Sequence, residues 1–290
     1  MPARNADGCG DEIMTEETGA ACKGRVFRTL HQGPALLLLP NAWDAITARL
    51  IESLGAKAIA TTSAGLAWSR GYPDGNALPE DQLIAVTCDI ARVIRVPLTV
   101  DIEAGYSDDP QAVAGLVTRV LTAGAVGINI EDGAGSPDLM CKKIAAIREN
   151  AANLGVDLFI NARTDVYLRG IASGAAAIEE VVHRASRYGA AGCDGLFVPG
   201  LANTAAMEAI AAAIKPMPLN IMAVPDLPPM QMLLKHGVRR LSAGSAIAQA
   251  ALGRTRHLAA DFLAGTMSEM FEAAVQYGAI NQLLADNADP

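Results

Sequence analysis

The feature that most constrains this fold is a regular alternation of short apolar runs with longer amphipathic segments. Eight runs, rich in Val, Ile and Leu and mostly bounded by Gly, Pro or Asn, are predicted as strands. The segments between them have the apolar spacing of helices. The predicted strands are 35–39, 58–62, 98–102, 126–130, 157–162, 195–198, 219–222 and 238–241. The clearest predicted helices are 79–94, 110–123, 139–154 and 175–189.

Eight strand–helix units without an evident break predict an α/β fold, a (β/α)8 TIM barrel with additional C-terminal helices. Residues 1–22 lack apolar periodicity and are predicted to be a disordered leader. Residues 23–290 then form a single barrel domain, with a helical extension over about 245–290. An open doubly wound sheet is the alternative, but it usually carries a Gly-rich loop after its first strand. Here the first strand is followed by Pro-Asn-Ala-Trp-Asp.

The net charge and the cysteine content limit which classes of partner the protein is expected to bind and where in the cell it is expected to occur. The net charge is −8, and no basic stripe typical of nucleic-acid binding is present. The acidic balance argues against an anionic membrane surface, and the longest early apolar run, 35–39, is too short to span a bilayer. Five scattered cysteines without a CxxC pair are typical of reduced thiols. We therefore expect a cytoplasmic protein whose N-terminus is not a signal peptide.

Acidic residues recur at the ends of successive predicted strands. Side chains alternate between the two faces of a strand, so the apolar residues of 98–102 face the helices while Asp101 and Glu103 face the barrel interior. The same alternation turns Glu131 inward after the fourth strand and Arg163 after the fifth. The carboxyl ends of barrel strands are where barrel enzymes keep their chemistry. The sequence therefore predicts a site there.

Three carboxylates that converge in a partly desolvated site repel each other, and a divalent cation relieves that repulsion. Ligands that are all oxygen select a hard ion, Mg²⁺ or Mn²⁺. Arg163 either neutralises the acids or binds a substrate carboxylate, and in an acidic mouth we favour the second role. In the long loop after the second strand, Ser63 and Gly65 offer hydroxyl and N–H groups to an anion. Asp74 stands in a Pro-Asp-Gly turn, which by itself indicates only turn chemistry.

Six segments in this order resemble the isocitrate lyase/phosphoenolpyruvate mutase superfamily. The resemblance covers residues from about 25 to 265. The segments are Leu-Pro-Asn-Ala-Trp-Asp-Ala (39–45), Thr-Ser-Ala-Gly (62–65), Gly-Tyr-Pro-Asp-Gly (71–75), Val-Asp-Ile-Glu-Ala-Gly-Tyr (100–106), Ile-Glu-Asp (130–132) and Asn-Ala-Arg-Thr-Asp (161–165).

The resemblance implies a role for each matching residue. Asp101 resembles the family's Mg²⁺ ligand, and Glu103 and Glu131 resemble acids that hold the metal mainly through water. Asp74 resembles the functional loop aspartate, which revises the turn-only interpretation. Arg163 resembles the substrate-binding arginine, and is taken with Asp74 as catalytic. The remaining substrate-binding candidates implied by the resemblance are Trp43, Asp44, Ser63, Ala64 and Gly65.

The chain departs from the isocitrate and methylisocitrate lyases after the Glu-Asp pair. Those enzymes carry a Lys-Lys/Arg-Cys-Gly-His loop, whereas here Cys141 is followed by Lys142 and Lys143, with no Gly-His, and is predicted to lie in the next helix. The gating-loop residues of phosphonate-processing members are also not evident. The chain therefore resembles the short-loop branch, which includes oxaloacetate decarboxylase-like members.

Three functions remain open. The first is a Mg²⁺-dependent lyase that cleaves a C–C bond of a small 2-oxo or 2-hydroxy acid through a pyruvate enolate, for example in oxaloacetate decarboxylation. The second is hydrolysis or rearrangement of a C–P bond, as in phosphonopyruvate. The third is a 2-oxo-acid-binding protein with little catalysis. The resemblance also implies a homotetramer built from dimers that exchange their late helices, and packing of the extension on its own barrel is the alternative.

Overall fold

Parallel pairing connects every strand to its neighbours in one continuous sheet. The computed structural model describes residues 20–285. The order of pairing is β1-β9-β8-β7-β6-β5-β4-β3-β2. The strands are β1 (Leu37–Leu39), β2 (Asn41–Ala42), β3 (Ile59–Thr61), β4 (Leu98–Asp101), β5 (Gly127–Glu131), β6 (Phe159–Arg163), β7 (Gly195–Phe197), β8 (Leu219–Met222) and β9 (Val238–Ser242).

The nine strands form an eight-stranded barrel because β1 and β2 are two halves of one strand. Pro40 separates them, and proline has no N–H with which to continue a ladder. β1 pairs with β9 while β2 pairs with β3, so the interrupted strand closes the ring. The predicted barrel, and each of its eight predicted strands, is confirmed.

Helices follow the strands and pack around the barrel. Asp44 begins one of them with a reciprocal cap, in which the Thr47 N–H donates to its carboxylate at 2.8 Å. The helices are α1 (Ala20–Gln32), α2 (Ala45–Ser53), α3 (Ser63–Ser69), α4 (Glu80–Val93), α5 (Pro110–Thr122), α6 (Pro137–Asn153), α7 (Gly174–Ala191), α8 (Thr204–Ala213), α9 (Met230–Lys235), α10 (Ala246–Leu263) and α11 (Tyr277–Ala285). No helix in residues 20–285 is long and apolar enough to cross a membrane.

The apolar core lies between the strands and the helices, as the period-two pattern predicts. Leu98, Val100 and Ile102 are fully buried in it. A second, smaller core fills the amino-terminal end of the barrel, where Phe27 of α1 meets Phe159 edge to face. His31 stacks on the same Phe159 ring at 4.0 Å, so this histidine is a packing residue.

The structure contradicts the last three residues of the predicted disordered leader, residues 1–22. Residues 20–22 begin α1, and residues 1–19 lie outside the described residues. The helix was not predicted because its apolar face is short, and its order comes from tertiary contacts of Phe27 and His31. The predicted boundary at residue 23 therefore falls inside α1.

The C-terminal extension is only partly helical. α10 and α11 bear out the prediction over residues 246–263 and 277–285, and residues 286–290 lie outside the described range. Between them only a single 3-10 turn, Ser268–Phe271, interrupts irregular chain. Gly265, with φ +84°, ends α10 in the left-handed conformation that glycine adopts readily.

Candidate active site

Three acidic residues singled out by the strand pattern meet at the carboxyl end of the barrel. Asp101 ends β4, Glu131 ends β5, and Glu103 follows β4 by two residues. Glu103 is only 4% exposed. The N–H of Glu103 donates to Asp101 Oδ1 at 3.0 Å, and Asn129 Nδ2 donates to Asp101 Oδ2 at 3.4 Å. These two donors fix the orientation of the Asp101 carboxylate.

Arg163, at the end of β6, forms ion pairs with two carboxylates. Its Nη1 lies 2.5 Å from Glu131 Oε2, and its Nε donates to Asp165 Oδ1 at 2.7 Å. Nη2 donates to Asp165 Oδ2 at 3.1 Å. The arginine therefore neutralises acids in this structure, which is the alternative that the sequence left open. Two of its five N–H groups have no carboxylate partner among residues 20–285, so its predicted role as anion receptor remains a prediction.

Burial shifts the pKa of each acid upward. It raises the pKa of Glu131 to about 8, although Arg163 pulls it down. Burial also raises the pKa of Asp101, again against the opposing effect of Arg163. The pKa of Glu103 is raised by burial and by the neighbouring Asp74 and Asp101. The charge of Arg163 does not offset the desolvation of these acids, which is the electrostatic situation that a bound cation relieves.

Glu103 ties the acids to the loop that carries Asp74. The backbone N–H of Asn76 donates to Glu103 Oε2, and Tyr106 Oη donates to Glu103 Oε1 at 3.2 Å. Asp74 itself is exposed, and its charge acts on Asp101 and Glu103. A cavity of about 270 Å³ lies beside this loop, with Asn76, Glu131 and Arg169 in its wall.

The predicted anion-binding segment forms the first turn of α3. Thr62 caps this helix by accepting the Gly65 N–H at 3.5 Å. A side chain at Gly65 would lie 2.8 Å from Trp43 Cβ, so the close approach of these two segments requires glycine. Ala64 is buried and Ser63 partly buried at the same turn.

Asp44, a predicted substrate-binding residue, also caps the amino-terminal end of α2. Its Oδ1 accepts the Thr47 N–H and the Thr47 hydroxyl, both at 2.8 Å, and so begins α2. Trp43, half-buried, donates its own N–H to Thr47 Oγ1 at 3.2 Å. Substrate contact by Trp43, Asp44 or residues 63–65 stays a prediction.

A buried network around Asp132 was missed by the sequence reasoning. Asp132 Oδ2 accepts from Tyr188 Oη at 2.6 Å and from Arg184 Nη1 at 2.8 Å, while Oδ1 accepts the Asp165 N–H at 3.0 Å. The network thus fixes Asp165, which in turn holds Arg163. Its signal was present in the sequence, because an acid directly after Glu131 must face the helices and needs a cation there.

Cys141 lies in α6, as predicted from the helical pattern of the residues that follow it. It is partly buried and lies near Asp138 and Arg187. Burial raises the pKa of its thiol, with Arg187 opposing the shift. The four cysteines in the described residues, Cys22, Cys88, Cys141 and Cys193, are all free thiols.

A different cluster brings metal-ligand side chains closer together than the barrel mouth does. In residues 20–285, the one group of three such side chains with ligand atoms within 4.8 Å of one another is His257, Asp261 and Glu269. His257 and Asp261 lie on α10 and Glu269 on the following 3-10 turn, where Arg254 already pairs with Glu269 at 2.7 Å. The ligand atoms of the three barrel acids are therefore not all within 4.8 Å of one another.

Comparison with known proteins gives the family. The family model for phosphoenolpyruvate phosphomutase matches residues 27–263. A Mycobacterium tuberculosis (strain H37Rv) protein without an assigned activity is 37% identical over 265 residues, covering 90% of this chain and 96% of that protein. An oxaloacetate decarboxylase of Ectopseudomonas mendocina is 30% identical, covering 79% of this chain and 80% of that protein.

A solved structure agrees with the sequence relatives. A Burkholderia cenocepacia protein provisionally described as a phosphonomutase is 39% identical and superposes with a TM-score of 0.78, covering 82% of this chain and 98% of that one. The match to the family model, residues 27–263, spans all nine strands and so includes every strand that carries a candidate site residue. The chain belongs to the phosphoenolpyruvate phosphomutase family, within the isocitrate lyase/phosphoenolpyruvate mutase superfamily of lyases and mutases.

Proposed function

We propose that this protein is a Mg²⁺-dependent lyase that cleaves a C–C bond of a small 2-oxo acid, with oxaloacetate decarboxylation as the leading reaction. The observation that carries the proposal is the convergence of buried Glu103 with partly buried Asp101 and Glu131 beside Arg163 at the carboxyl end of the barrel. The resemblance to the oxaloacetate decarboxylase of Ectopseudomonas mendocina supports the choice of reaction.

The residues present fit a hard divalent cation. Asp101 is held by two donors with the other lone pairs of its oxygens available, which suits a direct ligand. Glu103 and Glu131, the other two acids at the end of β4 and β5, would help to hold the ion beside Asp101. A bound Mg²⁺, or Mn²⁺ in its place, would supply positive charge where negative charge develops on the substrate oxygen.

Arg163 would bind the substrate carboxylate through its two remaining N–H groups. Asp165 and Glu131 hold the guanidinium plane in place, so the arginine is oriented before the substrate arrives. In oxaloacetate the C3–C4 bond then breaks and its electron pair moves into the enolate of pyruvate as CO₂ leaves. Protonation at C3 completes pyruvate. Asp74, on the exposed loop that Glu103 holds at Asn76, would deliver or relay that proton.

Cleavage of a C–P bond is the second candidate function. The observation in its favour is the 39% identity with the protein provisionally described as a phosphonomutase. The two candidates are separated by incubating the Mg²⁺-loaded protein with oxaloacetate or phosphonopyruvate and measuring pyruvate and inorganic phosphate. Pyruvate from oxaloacetate above the rate with Mg²⁺ alone supports the lyase, and phosphate from phosphonopyruvate supports the alternative. Thermal stabilisation by either compound without turnover would instead indicate a binding protein.

We further propose that the protein assembles as a homotetramer built from two dimers that exchange their late helices, with α10 as the exchanged helix. Of the 18 residues of this helix only Ala248 is buried, although Ile247, Leu252 and Phe262 are 39–54% exposed apolar residues. An apolar groove of about 820 Å³ lies outside β1, lined by Leu38, Leu54 and further apolar residues. Ile247 of α10 lines this groove, and a helix that leaves most of its apolar side chains exposed beside an apolar groove fits an exchange between copies.

The free, scattered thiols support a cytoplasmic location for this assembly. No step of the proposed reaction needs a membrane or a nucleic acid, and the proposed partners are the small 2-oxo acid, the metal ion and further copies of the chain.

A further inference from the structure

Lys143 is a buried cation that the proposed reaction does not use. It lies in α6, and its side chain is only 5% exposed. Its neighbour Lys142 is exposed, so the two lysines point in different directions. Burying an ammonium group costs free energy unless it is paired or hydrogen-bonded, and burial lowers the pKa of Lys143. The contact that compensates for this cost therefore indicates what the residue does.

That contact is with the turn that follows β4. Lys143 Nζ donates to the Ala104 carbonyl at 2.9 Å, and Asp108 Oδ1 lies 3.7 Å away. The Gly105 N–H closes the turn by donating to the Ile102 carbonyl at 2.8 Å. Lys143 thus joins α6 to the centre of the turn.

The turn holds an unfavourable backbone conformation. Glu103 has φ +52° and Tyr106 φ +60°, a region that side chains other than glycine rarely adopt. Such strain persists only where surrounding contacts enforce it. A charged donor bonded to the carbonyl between these two residues is one of those contacts.

The turn 103–106 also holds the loop that carries Asp74. The Glu103 carboxylate accepts the Asn76 N–H, two residues beyond Asp74, and Asn76 itself has φ +60°. Contacts therefore run from α6 through Lys143 to the turn, and from Glu103 to the loop.

We propose that Lys143 is a positioning residue, which from α6 fixes the turn 103–106 and, through Glu103, holds the loop that carries Asp74. The catalytic role of Asp74 rests on the proposed function, but the positioning does not.

Hydrogen–deuterium exchange of the full metal-free chain tests this without any substrate. Lys143→Met is expected to speed exchange by about tenfold in peptides covering both 71–78 and 103–108, because both segments lose their anchor. Lys142→Met removes the same charge one residue away and is expected to leave both peptides unchanged. Glu103→Gln is expected to speed exchange in 71–78 more than in 103–108, because it acts after the turn.

Unchanged exchange of both peptides in folded Lys143→Met, or an equal rise over all barrel peptides, would overturn the proposal. If Lys143→Met does not fold, Lys143→Gln gives the same comparison, since it removes the charge and shortens the side chain. A kinetic readout separates this inference from the proposed function. With oxaloacetate as substrate, Lys143→Met should lower kcat more than it raises KM. A wild-type protein without turnover would refute the proposed function while the exchange result still decides the role of Lys143.

Discussion

Glu131 and Arg163 stand opposite each other in register at the ends of β5 and β6, with Oε2 and Nη1 2.5 Å apart. The pair is the centre of the candidate site, because it joins the acidic side of the barrel mouth to the residue proposed to bind the substrate. Despite this contact the pKa of Glu131 is raised to about 8 by burial. The desolvation of the carboxylate thus outweighs its ion pair, which is common for buried salt bridges.

The pH dependence of stability should reveal this burial. The folded pKa of Glu131 lies above its ordinary value of 4.5, so its contribution to stability is fully present below pH 4.5 and is lost as the pH rises through about 8. In chelator, Glu131→Gln should match the wild type in melting temperature near pH 5 and exceed it near pH 8.5. Equal melting temperatures at both pH values would show that Glu131 is ionised without penalty.

Metal affinity should depend on Asp101 more than on Glu131. Glu131→Gln should weaken Mn²⁺ binding by about 10- to 100-fold, the usual effect of a group that acts on the metal indirectly. Asp101→Ala removes the proposed direct ligand and should weaken binding further. Isothermal titration of both variants gives the comparison, with His257→Ala as control for the surface cluster. A larger loss in His257→Ala would move the metal site to α10.

The hydrogen bonds between Arg163 and Asp165 should lower the KM for the substrate. Asp165→Asn weakens two charge-assisted hydrogen bonds that orient the guanidinium, so KM for oxaloacetate should rise, by about tenfold. Arg163→Lys keeps the charge but loses the planar fork and should raise KM further. Steady-state kinetics at saturating Mg²⁺ measure both. An unchanged KM in Arg163→Lys would mean that the arginine only neutralises the acids.

Assembly should depend on the exposed face of α10. Leu252→Glu places a charge on that face, and deletion of residues 266–290 removes the chain beyond it, so both should give smaller or aggregated species in light scattering. Leu154→Glu is the matched control, because Leu154 is similarly exposed but lies after α6. A wild type that is already monomeric, or a mass unaffected by both changes, would refute the exchange of helices.

Isocitrate and methylisocitrate should not be cleaved. Their cleavage needs an acid near the leaving carbanion, and a thiol serves only when it is close to that carbon with a suitable pKa. Cys141 is fixed in α6, and burial raises its pKa. Assays for glyoxylate from isocitrate and pyruvate from methylisocitrate are expected to show no turnover. Robust turnover that disappears in Cys141→Ser would show that α6 opens to form a catalytic loop.

The sequence predicted those parts of the fold and site that depend on local periodicity. The inward placement of Asp101, Glu131 and Arg163 follows from alternation along regular strands, which holds wherever one face of a strand is buried. The contact of Glu103 with the Asn76 N–H did not follow, because it depends on left-handed backbone at both residues.

Long-range contacts account for most of what was missed. α1 packs through Phe27 against residues inside the barrel that are distant in sequence, and no local sequence pattern predicts these contacts. The Asp132 network joins β5 to α7 across 52 residues of chain, although the need for a cation near Asp132 could have been inferred. The hydrogen bonds between Arg163 and Asp165 were also not predicted, since strand alternation does not specify how the chain turns after β6.

The most direct test of the central claim is pyruvate formation from oxaloacetate by metal-stripped and Mg²⁺-reconstituted protein, with Mg²⁺ alone as the blank. The account predicts no activity above the blank after stripping, full recovery with Mg²⁺ or Mn²⁺, and no recovery in Asp101→Ala. Asp74→Ala should remain folded and bind the metal while its rate falls. Full activity in the stripped protein, or full recovery in Asp101→Ala, would contradict a metal-dependent lyase at this site.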